Sequence, residues 1–196
     1  TLSFSNYDIL IVDNSETDDY YNEIKKHLPV IKSKYYEESA RKSIVESRNI
    51  LRQKVLDENY DYFLSLEQDV IPPRDIIEKL LKHDKKVVSG LYFYIVDNEL
   101  MPMAWVHHDE KHAIRMKYED VEEDKLIEVV TAGLGCVLIH RSILEKVKFR
   151  FREDKKPFDD VWFCEDVRNI NEKVYLDTSV KCKHLIKNWS WDNIKK

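Results

Sequence analysis

Residues 60–94 constrain the fold of this chain more than any other stretch. An apolar run over 62–66 ends abruptly in two acids, Glu67 and Asp69, and an amphipathic helical segment and a second apolar run then follow. Strand, polar tip, helix and strand is the unit from which α/β sheets are built. Such sheets bind ligands at the carboxyl ends of their strands, which is where the two acids stand.

Strand-like and helical segments alternate along the rest of the chain. Because parallel strands need crossover connections, this alternation predicts an α/β fold with a mainly parallel central sheet and helices on both faces. Residues 97–124 show no clear period, and we predict that they cross the top of the sheet. The predicted strands are 8–13, 30–35, 62–66, 87–93, 126–131, 135–140, 173–177 and 180–185, and the predicted helices are 20–27, 39–56, 75–81, 142–147 and 159–171.

Length, charge and cysteine content narrow the class of protein. A chain of 196 residues fits one sizeable domain, which we expect to span 1–196. The 32 Lys and Arg against 37 Asp and Glu give a net charge of −5, which argues against binding nucleic acid through its phosphates and against a nuclease. No apolar run reaches the roughly 20 residues of a membrane span. The three cysteines form no CxxC pair, so we expect no zinc ribbon or disulfide framework and predict a reducing, cytoplasmic setting.

Glu67 and Asp69 are the first candidate site. Two carboxylates two residues apart on an extended segment point the same way and can share one hard cation. The alternative is a solvated strand end that caps the next helix, but the apolar run before it indicates a central strand. His184 is a candidate third ligand, or else an ordinary structural histidine. Three other histidines match no metal motif, and we predict that they lie on the surface: His107, His108 and His112.

A second acidic pair, Asp159 and Asp160, precedes a helical segment. A carboxylate at the start of a helix tends to stay ionised, because it faces the positive end of the helix dipole, and this suits a general base. The alternative is a plain helix cap. Arg48 and Asn49 lie on the helix before the first acidic tip, where Arg48 suits a diphosphate or simply forms part of a polar helix face.

Two of only three glycines, Gly133 and Gly135, bracket a single residue. Such spacing predicts that another group approaches the backbone closely there. The chain has neither a GxGxxG nor a GxxxxGK[ST] motif, so Rossmann-type and P-loop nucleotide binding are not indicated.

Taken in order, these segments resemble the motifs of family-2-like glycosyltransferases, which have the GT-A fold of nucleotide-diphospho-sugar transferases. The likeness spans about residues 8–186. The segments, each with the family motif it is similar to, are 12–18 (DNSSTD), 47–49 (ARN), 61–73 (DYxLxLDxDxxPP), 89–93 (GLYF), 132–139 (GxGCxLI), 159–164 (EDVxFC) and 175–184 (xLDxxVxxxH).

The resemblance implies a metal-dependent, inverting hexosyltransferase that moves a sugar from a nucleotide-diphosphate donor to an acceptor hydroxyl. A UDP-sugar is the favoured donor, with GDP-mannose as the alternative, and the acceptor is a glycan, a lipid-linked molecule or a protein. The resemblance also implies three sets of site residues. The donor contacts are Asp13, Asn14, Arg48, Asn49, Glu67, Gly90, Gly133 and Gly135. The ligands of Mn²⁺ or Mg²⁺ are Asp69, Glu67 and His184, and the base is Asp160, beside Asp159.

The sequence departs from the family pattern in three places. Glu67 stands where the metal-binding DxD motif has its first Asp, and Asp159 is shorter than the usual Glu. The family's opening strand is missing before Thr1, as expected of either a truncated or an inactive protein. Two alternatives therefore stay open: a non-catalytic module that binds a nucleotide or glycan, and a nucleotidyltransferase, although the Gly-rich basic loop typical of the latter is not visible.

Overall fold

A computed structural model describes residues 2–37, 39–97, 99–109 and 112–186. Strands and helices alternate along these residues, and the predicted α/β class is confirmed. The strands are β1 (Ile11–Asp13), β2 (Val30–Lys32), β3 (Tyr62–Leu66), β4 (Val70–Ile71), β5 (Val87–Leu91), β6 (Phe93–Val96), β7 (Glu99–Pro102), β8 (Ala104–His107), β9 (Ala113–Arg115), β10 (Leu126–Val129), β11 (Thr131–Ala132), β12 (Cys136–His140), β13 (Val174–Lys181) and β14 (Lys183–His184). The helices are α1 (Asp19–Ile24), α2 (Ala40–Asp57), α3 (Ile76–Leu81), α4 (Arg141–Leu144) and α5 (Asp159–Asn169), with a 3-10 helix at Tyr118–Val121.

The central sheet has five strands in the order β10-β13-β5-β12-β3. It is mixed rather than mainly parallel, because only β5 and β13 run parallel while the other three pairs are antiparallel. The physical reason lies in the connection between β5 and β10, the next strand of this sheet along the chain. Its described residues form short strands and a 3-10 helix but no crossover α-helix, so the chain re-enters the sheet in the opposite direction.

Smaller sheets surround this centre. β1 and β2 form a parallel pair, β4 pairs with β14, β6 pairs with β7, and β11, β8 and β9 form a three-stranded antiparallel sheet. Four of these short strands, β6 to β9, arise between residues 93 and 115, most of which showed no period in the sequence. Strands of three or four residues span too few alternations to give a periodic signal.

Apolar side chains pack on both faces of the central sheet. Alternate residues of β12 enter different core clusters, Val137 and Ile139 on one side and Cys136 and Leu138 on the other. α3 packs in the second cluster and α4 and α5 in the first, so helices cover both faces as predicted. None of the helices in the described part of the chain is long and apolar enough to cross a membrane.

The long helix α2 buries two arginines, Arg48 and Arg52, each 6% exposed. The side chain of Ser39 caps its start by accepting a hydrogen bond from the backbone N–H of Lys42. Arg52 Nε donates to the carbonyl oxygen of Val147 at 2.9 Å. A buried guanidinium must be paired, so burial of Arg48 indicates that acidic groups lie around it.

Candidate active site

Arg48 joins the two predicted acidic segments. Its Nη1 donates to Asp159 Oδ2 at 2.6 Å, and its Nη2 donates to Glu67 Oε1. Burial alone would lower the pKa of Arg48, but the charges of Asp159 and Glu67 outweigh that effect and raise it. The end of β3, the middle of α2 and the first turn of α5 therefore meet at one guanidinium. Both Nη atoms are held by carboxylates, and the predicted contact of Arg48 with a diphosphate stays a prediction.

The glycine pair lies against the same cluster. A Cβ added at Gly135 would come within 2.9 Å of both Glu67 Oε2 and the Tyr92 hydroxyl, and one at Gly133 within 2.1 Å of that hydroxyl. The predicted close approach at these glycines is confirmed, and the approaching groups are side chains of the protein itself. Tyr92 Oη accepts a hydrogen bond from the Gly135 N–H at 2.9 Å. Burial, reinforced by Glu67, raises the pKa of Tyr92 well above its ordinary value, so the phenol is neutral.

Asp160 is the acid of the second pair that keeps access to solvent. It is half-buried in the first turn of α5, whereas Asp159 is 3% exposed. Burial raises the pKa of Asp160 to about 6, and Asp159 and Glu67 add to the rise while the Val161 N–H and Arg48 oppose it. We predicted that the helix dipole would stabilise the ionised form of Asp160. The effect of burial on the pKa is larger and has the opposite sign. A carboxylate with this pKa is mostly ionised at neutral pH and is a stronger base than an ordinary aspartate.

Asp69 and His184 form the predicted metal pair. Asp69 Oδ2 lies 3.4 Å from His184 Nε2, and His184 Nδ1 lies 2.7 Å from the Phe93 carbonyl oxygen. A carbonyl oxygen only accepts, so Nδ1 carries a proton, and in the neutral ring the Nε2 lone pair faces the carboxylate. His184 Nε2 and Asp69 Oδ2 are groups that commonly ligate divalent cations, and metal binding at this pair stays a prediction.

The third predicted metal ligand, Glu67, contacts Arg48, and its role as a metal ligand stays a prediction. Its Oε1 is held by Arg48 and its Oε2 lies over Gly135. In the described ranges no three His, Cys, Asp or Glu side chains are placed to hold a metal together. The structure thus divides the predicted set into an Arg48–Glu67 pair and an Asp69–His184 pair.

The predicted nucleoside contacts, Asp13 and Asn14, lie at the end of β1 beside α2. Asp13 is 5% exposed and accepts hydrogen bonds from Ser15 Oγ at 2.7 Å and Lys32 Nζ at 2.9 Å. Burial would raise the pKa of Asp13, but these hydrogen bonds outweigh it and lower the pKa. Asn14 Nδ2 donates to Ser47 Oγ at 3.2 Å. Asp13 therefore holds the loop after β1, and contact with a nucleoside stays a prediction.

Two other predicted donor contacts have local packing partners. The amide of Asn49 forms two hydrogen bonds with the backbone of Phe149, donating at 2.8 Å and accepting at 3.1 Å. A Cβ added at Gly90 would lie 3.0 Å from Cys182 Sγ and from Val180 Cγ1. The structure does not bring either residue to the Arg48 cluster through a hydrogen bond.

Sequence reasoning missed two features of this region. In the sequence Tyr92 stands out only as part of a predicted strand. Its place in the GLYF-like segment is the one feature that points to a role in the site. The second feature is a cleft of about 300 Å³ that is lined in part by Val161, the residue after Asp160. No single motif in the sequence predicts this cleft. It is lined by Trp105, His107, His112, Ala113, Val130, Thr131, Val161 and Arg168.

Comparison with solved structures agrees with the fold. The chain is similar to the crystal structure of A197 from STIV, with 21% identity and a TM-score of 0.55 over 91% of this chain and 84% of that chain. It is also similar to the crystal structure of GalNAc-T7 with UDP, GalNAc and Mn²⁺, with 11% identity and a TM-score of 0.62. That match covers 93% of this chain but only 39% of the other. The predicted GT-A fold is confirmed.

Comparison at the level of sequence identifies the family. No curated protein gives a significant match. The family model described as glycosyl transferase family 2 matches residues 2–148, which include Arg48, Glu67, Asp69 and both clustered glycines but end before α5 and β14. The match covers well over half of the chain. The chain therefore belongs to glycosyl transferase family 2.

Proposed function

We propose that this glycosyltransferase is metal-dependent and inverting, and that it moves a hexose from a nucleotide-diphosphate donor to an acceptor hydroxyl. The observation that carries the proposal is Asp160, a half-buried carboxylate whose pKa is raised to about 6 next to the Arg48 cluster. Asp159 acts on Asp160 through its charge and through Arg48, which it holds at 2.6 Å. Asp160 is the catalytic base in this proposal, and Asp159 is a positioning residue.

Asp69 and His184 are the proposed ligands of Mn²⁺ or Mg²⁺. When bound, the cation neutralises the donor diphosphate and stabilises it as the leaving group. A UDP-sugar is the preferred donor, with GDP-mannose as the alternative, and the UDP and Mn²⁺ named with the GalNAc-T7 structure support that choice. In this proposal Glu67, which contacts Arg48 and lies over Gly135, accepts a hydrogen bond from a donor hydroxyl.

The transfer itself needs one base and one leaving group. The acceptor oxygen forms a bond to the anomeric carbon as the bond from that carbon to the diphosphate oxygen breaks, and the electron pair leaves with the nucleoside diphosphate. Asp160 takes the proton of the acceptor hydroxyl. A single base that faces the leaving group across the sugar gives inversion at the anomeric carbon.

A thermal-shift screen tests donor and metal binding. UDP, GDP, CDP and ADP are each added with and without Mn²⁺ to the wild type and Asp69→Asn, with Asp75→Asn as an acidic control. Asp75 is half exposed and forms its ion pair with Lys79. We expect stabilisation by one nucleotide, dependent on Mn²⁺ and lost only in Asp69→Asn. No stabilisation by any nucleotide in the folded wild type would contradict the proposal.

The second candidate function is a module that binds a nucleotide or glycan without turnover. The observation in its favour is the Arg48–Glu67 pair, which engages the first acid of the DxD-like motif. Hydrolysis of a nucleotide-sugar in the absence of acceptor separates the two functions, since only the enzyme releases the nucleoside diphosphate.

A glycan, lipid-linked or protein acceptor and a cytoplasmic location are further parts of the proposal. The three free, buried cysteines suit a reducing compartment.

A further inference from the structure

The cleft beside Asp160 has one wall made by the β11–β8–β9 sheet and another made by α5. The first residue of the α5 wall is Val161, which directly follows Asp160 in the chain, and the second is Arg168, two helical turns later. None of the residues that line the cleft belongs to β3, β4 or β14, which lead to or carry Glu67, Asp69 and His184. The cleft is therefore next to the proposed base but distinct from the proposed metal pair.

Strand register places Arg115 on the face of the sheet that lines the cleft. Trp105 lies opposite Arg115 on β9 and opposite Thr131 on β11, so these three residues form a row across the sheet. His107 and Ala113 form the neighbouring pair on the same face, since alternate residues of a strand share a face. The Arg115 guanidinium stacks on Trp105, with its Cζ 4.5 Å from the ring centroid.

Arg115 has hydrogen-bonding capacity that its neighbours do not use. Its Nη1 is buried, and no group in the described part of the chain accepts a hydrogen bond from it. An unpaired buried donor on a charged group is costly, and an anion supplied by a ligand removes that cost. Burial lowers the pKa of Arg115, whereas the negative charge of Asp160 acts to raise it. The guanidinium of Arg115 therefore interacts electrostatically with the proposed base.

Among the described residues that line the cleft, Arg168 is the one arginine. Arg168 Nη1 donates to the Val130 carbonyl oxygen, which ties one corner of its guanidinium to the wall. His112 contacts the Asp109 carboxylate at 2.9 Å, so any charge on this histidine is offset. Trp105 and Arg168 line the cleft, and Arg115 stacks on Trp105 from the same face of the sheet. An indole ring with two guanidinium groups nearby suits a sugar ring that carries an anionic substituent.

We propose that this cleft is the acceptor site and that it selects a saccharide bearing a carboxylate or phosphate group, which Arg115 and Arg168 bind beside Trp105. The proposal rests on the glycosyltransferase function above. It adds the chemical class of the acceptor, and it makes Arg115 a residue that determines specificity. A neutral saccharide leaves Arg115 Nη1 without its anion and binds more weakly.

Binding of three small saccharides tests the proposal without any donor. Methyl β-glucuronide, glucose 6-phosphate and methyl β-glucoside are titrated into the full chain, and binding is followed by NMR chemical shifts. We expect at least one of the two acidic sugars to bind about tenfold more tightly than the neutral glucoside, as for a charge-assisted hydrogen bond. Comparing the two acidic sugars shows whether a carboxylate or a phosphate is preferred.

Variants assign the preference to the cleft. We expect Arg115→Gln to abolish the charge preference while leaving glucoside binding unchanged, and Arg115→Lys to retain part of it. Arg141→Gln is the matched control, because Arg141 lies on α4 and pairs with Glu145 and Asn59 instead. A purely structural role of Arg115 would weaken all three sugars equally.

Two results would overturn the inference: equal binding of acidic and neutral sugars by the wild type, or a charge preference that survives in Arg115→Gln. Absence of binding by all three sugars would overturn it as well. Because no nucleotide or metal is present in this titration, its failure is independent of the thermal-shift screen. A chain that binds UDP with Mn²⁺ but shows no charge preference keeps the proposed function and loses only this inference.

Discussion

Replacing Arg48 by methionine removes the cation that two carboxylates share. Asp159 then keeps a side chain that is 3% exposed with no positive partner, whereas Glu67, 40% exposed, is partly solvated. Most of the penalty therefore falls on Asp159. Breaking a buried ion pair from one side costs about 3–5 kcal/mol of stability, and we expect about 3 kcal/mol here because only one of the two carboxylates is fully buried.

Arg52→Met is the matched control for this change. Arg52 lies one helical turn later on α2 and is also 6% exposed, but its Nε donates to the Val147 carbonyl oxygen rather than to a carboxylate. Its loss leaves one buried acceptor without its donor, which costs about 1–2 kcal/mol. The difference between the two variants isolates the charge of the Arg48 cluster from the burial of an arginine stem.

Urea denaturation of both variants between pH 7 and pH 4 supplies the measurement. In Arg48→Met the stranded carboxylate can take up a proton on acidification, so the destabilisation relative to the wild type shrinks as pH falls. In Arg52→Met it stays constant, since no carboxylate has lost a partner. Equal losses in the two variants, or a loss in Arg48→Met that does not depend on pH, would refute the reasoning.

Three further predictions follow from the pKa values and the packing. Activity should fall about tenfold per pH unit below about pH 6, as Asp160 becomes protonated, and a pH–rate profile that is flat to pH 5 would exclude it as the base. Hydrogen bonds from Ser179 and His83 outweigh burial and lower the pKa of Asp177, so Asp177→Asn should cost about 2 kcal/mol of stability at pH 7 in urea unfolding. This deficit should shrink only as the pH falls below about 4. Gly133→Ala should cost about 2 kcal/mol or more, because its Cβ would lie 2.1 Å from the Tyr92 hydroxyl, and Tyr92→Phe should recover part of that loss in a double-mutant cycle.

The strongly periodic elements of the fold could be predicted from the sequence, and the directions of the strands could not. The apolar run before Glu67 and the amphipathic helix after Asp69 each span several repeats, and both were found where predicted. The direction of β10 and β12 depends on where the chain re-enters the sheet after the excursion over residues 92–125. That choice is decided by tertiary packing, which leaves no local pattern.

The candidate site was predictable as a set of residues but not as a set of contacts. Arg48 stands among polar residues on α2, and nothing in the helical period shows that this arginine points inward. Its burial is decided by Asp159, which is 111 positions away in the sequence. Arg115 is a similar case, since its relation to Trp105 appears only when the register of two three- or four-residue strands is known.

The most direct test of the central claim is the release of nucleoside diphosphate from a nucleotide-sugar, followed by ³¹P NMR with Mn²⁺ present. The donor base is the one selected in the thermal-shift screen, and Asp160→Asn is compared with the wild type. The account predicts that the wild type converts UDP-sugar to UDP, and that Asp160→Asn still binds UDP but turns over about 10²- to 10⁴-fold more slowly. Nucleotide binding without release by the wild type, with or without the acidic saccharides, would contradict it and identify the protein as a binding module.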